Sequence, residues 1–160
     1  IVSIIRDAGG TPGNKLLHFG EAQATESIAS RLKIPVGAEL VMFRRLWTAN
    51  DLPFCIETSY LPAARFPDLI AENLVAGQSL YTLLAEVHGV TTGATDREIS
   101  VGTSTDLEAR LLRIAPGSPT LVLRLVGHDQ HGVPFEYMKS VNHPHNVVFR
   151  TTATEMQRPK

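Results

Sequence analysis

The chain has 160 residues, 43% hydrophobic and 19% charged, with 15 basic side chains against 16 acidic ones. That length supports one domain with a real core, and near-neutral charge without a basic run argues against gripping a phosphate backbone. Cys55 is the single cysteine, which excludes an internal disulfide, and no apolar run approaches the ~20 residues of a membrane span. The chain opens at Ile1 without a Met, mid-pattern and with no secretory leader. A segment of a longer cytoplasmic protein is expected, and a lone thiol suits a reducing compartment. Residues 1–8 are read as the end of a helix, 9–13 as a Gly-rich loop and 15–21 as a strand. Residues 25–32 form a helix with Ile28, Ala29 and Leu32 on one stripe.

Pro35-Val36-Gly37 turns the chain into a hairpin over residues 39–60, folded at Asn50-Asp51-Leu52. With that loop Ala49 faces Pro53, and Arg45 faces Glu57 on one sheet face. Trp47 shares that face two residues along. Residues 66–70 begin a short helix. Gly77-Gln78-Ser79 leads into a helix over 80–87, closed by Gly89. A polar strand follows over 92–101. Thr105 and Glu108 make a capping box for the next helix. Residues 121–126, nearly all apolar, read as a central strand. Residues 129–132 turn the chain, strands cover 135–141 and 147–152, and 156–160 read as a frayed tail.

One unit occurs twice. Ala29, Leu32, Ile34, Gly37 and Arg44 recur eighty positions later as Ala109, Leu112, Ile114, Gly117 and Arg124. After one extra turn residue, Pro53-Phe54 recurs as Pro134-Phe135. The expected fold is α+β: a mostly antiparallel central sheet flanked by helices, with an internally duplicated helix–hairpin unit. Two such halves in one sheet suggest a site between them.

Several residues could carry chemistry. Arg45 offers a planar fork and Glu57 an acceptor for hydroxyl or amine donors, the plain alternative being a cross-strand salt bridge. Ser79 can cap its helix, leaving the amides of Leu80 and Tyr81 free to face an anion; the plain alternative is an ordinary cap with Tyr81 in the core. Trp47 could stack on a ring or pack in the interior. His143 and His145 lack a third metal ligand nearby, which favours a surface loop. Cys55 alternates as a core thiol. No nucleophile elbow, dinucleotide fingerprint or P-loop is present, so no catalytic residue, metal or cofactor is assigned.

The residues Arg45-Leu-Trp-Thr-Ala-Asn-Asp-Leu-Pro53, Glu57-Thr-Ser-Tyr-Leu-Pro62, Phe66-Pro67, Gly77-Gln-Ser-Leu-Tyr81, Leu112-Arg-Ile-Ala-Pro-Gly117 and Asp129-Gln-His-Gly-Val-Pro-Phe-Glu-Tyr137 resemble the UTRA domain. That is the effector-binding half of HutC-type GntR transcription regulators. The likeness runs from about Gly10 to Phe149. It implies a chorismate lyase-like fold, homodimers, a small-molecule effector, and operator DNA held by a separate N-terminal winged helix-turn-helix domain outside residues 1–160. It also implies ligand contacts at Arg45, Glu57, Ser79, Tyr81 and Glu136. The chain departs from the family pattern at Trp47, where a second Arg is usual, and at Asn142, where a Tyr is usual. Those changes widen the expected effectors from phosphosugars to carboxylates and ring-bearing neutral molecules. The expected site is therefore Arg45, Trp47, Glu57, Ser79, Leu80, Tyr81, Glu136 and Asn142, in a sensor rather than an enzyme. A chorismate lyase-like enzyme using Glu57 or Glu136 as general acid, and a dimerisation domain with a vestigial pocket, are the alternatives. Effector-driven ordering of residues 1–13 is the expected route of signalling.

Overall fold

The computed structural model describes residues 2–5, 12–75 and 79–151. Six strands form one antiparallel sheet in the order β2-β3-β4-β7-β6-β5. These are β2 (Pro12–Gln23), β3 (Glu39–Ala49), β4 (Leu52–Pro62), β5 (Thr92–Thr103), β6 (Pro119–Asp129) and β7 (Pro134–Asn142). Helices α1 (Glu26–Leu32) and α4 (Asp106–Leu112) follow β2 and β5. The stretch between β4 and β5 adds a 3-10 turn at Ala63–Arg65, α2 (Ala71–Val75) and α3 (Leu80–His88). The fold is thus α+β, and every ladder is antiparallel.

The duplication extends further than the helix and hairpin. β2, α1 and β3 map onto β5, α4 and β6 at an offset of eighty residues. Thr25 and Thr105 cap the two helices with their hydroxyls, accepting from Ile28 and Glu108 amides, and the capping box at Thr105 is complete. Lys33 and Arg113 end them in the left-handed conformation at φ 55° and 58°, a place where Gly is usual. β4 and β7 meet at the centre, so the two copies share one sheet through a pseudo-twofold seam.

The β3–β4 turn is tighter than the sequence suggests. Asn50 and Asp51 both take positive φ, the pattern of a two-residue type I′ loop, so Ala49 faces Leu52 and not Pro53. A bulge follows: Thr48 pairs with Pro53 and Trp47 with Cys55, leaving Phe54 as the extra residue. The bulge restores the register, and Arg45 faces Glu57 as expected.

Other expectations need correcting. Val2–Ile5 is not a helix end but strand β1, paired with β8 (Val148–Thr151) in a separate two-stranded sheet. Residues 66–70 are not helical; helix begins at Ala71. β6 is an inner strand, whereas the centre belongs to β4 and β7. β2 is longer than read and opens at Pro12. The rest of the proposed loop at 9–13, Gly77-Gln78 and the tail at 156–160 lie outside the described residues.

Each sheet face has its own cover. α3 and α2 lay Leu74, Leu80, Leu83 and Leu84 over Phe43, Leu61, Phe66 and Phe135. On the other face α1 packs Ala29 and Leu32 near Leu40 and Tyr137, and α4 packs Leu112 on Ile56 and Val141. Cys55 is a buried thiol. No helix among the described residues is long and apolar enough to cross a membrane.

Candidate functional site

Strand alternation and the observed register place a polar cluster on the α3 face of the seam. Three rows run across β3, β4, β7 and β6. One holds Trp47, Cys55, Asn142 and Leu121; the next Arg45, Glu57, Ser140 and Leu123; the third Phe43, Ser59, Met138 and Leu125. Glu136, two residues before Met138, points to the same face from β7.

Arg45 is buried and its Nη2 donates to Glu57 Oε1 at 3.0 Å. Its guanidinium also lies over Trp47, 5.0 Å from the ring centroid, and 5.4 Å from that of Phe43. Trp47 therefore presents one ring face to Arg45, which holds the fork in place. Arg45 Nε has no hydrogen-bond partner among the described residues.

α3 brings Tyr81 to the cluster. The Tyr81 hydroxyl donates to Glu136 Oε1 at 2.6 Å. Burial is the main force raising the Glu136 carboxyl from its ordinary value to about 7, and the charge of Glu57 adds to it. The Tyr81 hydrogen bond, the nearby Ser59 hydroxyl and the charge of Arg45 pull the other way without prevailing. The Tyr81 phenol is driven far above its usual range, first by burial, then by the Glu136 charge and their hydrogen bond. Glu57, Glu136, Arg45 and Tyr81 thus form one electrostatic unit.

Asn142 is fully buried on β7. Its Nδ2 donates to the Leu121 carbonyl and to Ser140 Oγ, both at 3.0 Å, while Oδ1 has no partner among the described residues. Ser79 and Leu80 stand differently from expectation. Ser79 occupies the N-cap, but its side chain makes no capping hydrogen bond; its carbonyl accepts from the Leu83 amide at 3.0 Å. The Leu80 side chain belongs to the core under α3, so only its backbone remains for recognition.

The structure thus gathers Arg45, Trp47, Glu57, Tyr81, Glu136 and Asn142 and adds three residues not singled out before. Ser140 faces Glu57 next to Asn142, and Ser59 lies one row beyond Glu57 on the side of Glu136; period-two counting from Glu57 and Asn142 reaches both. Arg97 on β5 lies close enough for its charge to bear on the Tyr81 phenol; β5 is mostly exposed along both faces, and nothing in its sequence singles out Arg97. His143 and His145 close a loop by hydrogen bonds from the amides of His145 and Asn146 to His143 Nδ1. No group of three metal-ligating side chains exists among the described residues.

Chemically the cluster is rich in acceptors. Two carboxylates and a carboxamide oxygen share this face with one guanidinium, and at the depth of Arg45 and Asn142 an unpaired polar atom costs about 1–3 kcal/mol. A molecule that presents hydroxyl or amine donors, and one acceptor for Arg45 Nε, would satisfy what the protein leaves unpaired.

The UTRA domain model matches residues 7–147. The chain belongs to the UTRA domain family. Among curated relatives, the HTH-type transcriptional repressor NagR of Bacillus subtilis is 27% identical over 86% of this chain and 56% of its own. The repressor PhnF of Mycolicibacterium smegmatis is 28% identical over 88% of this chain and 57% of its own. The UTRA chain therefore spans little more than half the length of those relatives. Among solved structures, the ligand-binding domain of a GntR-family regulator from Bordetella bronchiseptica superposes with a TM-score of 0.87 at 24% identity, covering 94% of this chain and 96% of that one. The PhnF crystal structure superposes at 0.79 with 28% identity, covering 95% of this chain and 65% of that one. The relatives are named as transcription repressors and regulators.

Proposed function

We propose that this UTRA domain is the effector-sensing and dimerising half of a HutC-type GntR repressor. It binds a small metabolite at the seam cluster, and a separate N-terminal domain grips operator DNA in the cytoplasm. The observation that carries the reading is the cluster of buried Arg45 and Glu136 with half-buried Glu57 and the more exposed Tyr81 at its edge, Arg45 Nε and Asn142 Oδ1 being left unpaired beside it. Arg45 orients an acceptor of the effector. Glu57, Glu136 and Asn142 accept its donors. Tyr81 and Trp47 form walls, and the start of α3, with Ser79 and the Leu80 amide, closes one end.

The effector must bind the DNA-competent and DNA-incompetent arrangements with different affinity, since equal binding shifts nothing. Residues 1–13, at the junction toward the DNA-binding domain, would carry the signal through the β1–β8 pair; unchanged hydrogen exchange there on effector addition would refute that route. The central test is a thermal-shift screen of sugars, phosphosugars, amino acids and organic acids. A true effector at 100 times its dissociation constant stabilises by ~2.7 kcal/mol, and Arg45→Ala and Glu57→Gln should each abolish the shift. A screen in which no compound moves the transition, in a chain whose dimer persists, would favour a vestigial pocket instead.

A further inference from the structure

The sheet face opposite α3 carries a row of cations at its centre. The register across β3, β4, β7 and β6 sets Arg44, Thr58, Lys139 and Arg124 side by side. Arg44 and Arg124 are equivalent positions of the two copies, and so are Thr58 and Lys139, which pair with each other at the pseudo-dyad. All three cations are half-buried. Like charges in directly facing strand positions are destabilising, and Lys139 faces Arg124. Glu98 of β5 faces Arg124 at the end of the row, but among the described residues no carboxylate lies within ion-pair distance of any of the three. Hydroxyls orient two of them without neutralising them: Arg44 Nε donates to Thr58 Oγ1 at 3.0 Å and Arg124 Nη1 to Ser100 Oγ at 3.1 Å.

Over Arg44, Thr58 and Lys139 opens a cleft of about 240 Å³, walled on one side by Thr105, Glu108 and Leu111 of the α4 segment. Glu108 is the one acid on that wall, and its Oε1 is engaged by the Thr105 amide in the capping box. The cleft is smaller than the roughly 300–1,000 Å³ of drug-sized pockets, which suits a compact ligand. Its floor offers a guanidinium fork, an ammonium and a hydroxyl, a donor set matched to an oxyanion.

We propose that this cleft is a second ligand site, built for a small oxyanion, phosphate or carboxylate, held between Arg44 and Lys139 on the face of the sheet opposite the effector cluster. The bound anion offsets the repulsion that the row otherwise carries. The inference stands on this face alone and does not depend on the effector reading.

The test is a titration of the chain with inorganic phosphate and, separately, with citrate, at ionic strength held constant by sodium chloride, followed by backbone amide chemical shifts. Saturable shifts at Thr58, Thr105 and Lys139 with either anion are expected, and the stronger of the two identifies the oxyanion class. Lys139→Met should weaken that binding at least about tenfold and raise the melting temperature in anion-free buffer, because it relieves the Lys139–Arg124 contact. Lys139→Gln should do the same and guards against a packing artefact of Met. Arg45→Lys, in the cluster on the other face, should leave the titration unaltered. Shifts that follow ionic strength alone, undiminished binding in both Lys139 variants, or shifts confined to α3 and abolished by Arg45→Lys would overturn the proposal.

Discussion

Replacing Glu136 by Gln isolates the most strained charge in the domain. The carboxyl is buried under α3 and its pKa is raised from 4.5 to about 7. At about 1.4 kcal/mol per pH unit, ionising it in the folded chain costs on the order of 3 kcal/mol more than in the unfolded chain. The sign follows from proton counting. Between about pH 4.5 and 7 the folded state holds a proton that the unfolded state has released, so stability falls as pH rises through that window and the loss is complete above it. The glutamine side chain would keep the shape and can accept from Tyr81, but it carries no charge at any pH. Urea unfolding of wild type and Glu136→Gln at pH 5, 6, 7 and 8 measures the effect. The variant should gain on wild type by about 2.5 kcal/mol between pH 5 and pH 8, since the last part of the shift lies below pH 5. Titrations of groups not coupled to Glu136 cancel in the difference, including that of His143, whose pKa is lowered by burial and by His145. A difference between the two chains that stays flat within about 0.5 kcal/mol from pH 5 to 8 would refute the claim that burial governs this carboxyl.

Arg45→Met leaves Glu57 and Glu136 without their shared cation and should destabilise by about 2–3 kcal/mol in urea unfolding, below the usual cost for a buried pair because Glu57 keeps some solvent. The double variant Arg45→Met, Glu57→Leu should recover most of that loss while binding no effector. Lys33→Gly and Arg113→Gly relieve left-handed backbone at two equivalent helix ends; each should stabilise by about 0.5–1 kcal/mol, and the two should add. Asp129 accepts from the amides of His131 and Val133 and pairs with Arg65 at 2.9 Å. Asp129→Ala should therefore accelerate hydrogen exchange at those two amides. Because its pKa is lowered, first by the Val133 amide, the same opening should occur in wild type as pH falls through the Asp129 titration.

What the sequence disclosed about the fold was local or repeated. The helices at 25–32 and 105–112 are set by caps three residues from their partners, and the repeat lets one copy check the other. The Arg45–Glu57 pairing was legible because a hairpin register is fixed by its turn. What stayed hidden depended on distance along the chain. β1 becomes a strand by pairing with β8, almost the whole chain away; its β-branched Val2, Ile4 and Ile5 favour a strand but are too few to decide one. The bulge at Phe54 gave a correct register from an incorrect turn. At the site, Tyr81 meets Glu136 fifty-five positions away, a contact decided by how α3 lies on the sheet. Likewise Leu80 reads as a helix-start residue in sequence, yet packing decides that its side chain belongs to the core.

The scaffold is symmetric and the cluster is not, and that contrast bears on function. Ser59 and Ser140 are equivalent across the seam, but Arg45, Trp47 and Glu57 correspond to Leu125, Gly127 and Met138 in the second copy. The symmetry is broken by the segment from Ala63 to Val90, which occurs once and delivers α3 over one face only. Covering one face removes water from it, and a covered face can hold charges only if they are paired or meet a ligand. The first copy supplies Arg45 and Glu57, the second supplies Glu136 and Asn142, and the unique segment supplies Tyr81. A molecule bound among them would touch all three at once. Its binding energy would therefore depend on how α3 sits relative to the β4–β7 seam, and a shift of α3 is the smallest movement by which occupancy could alter the rest of the chain.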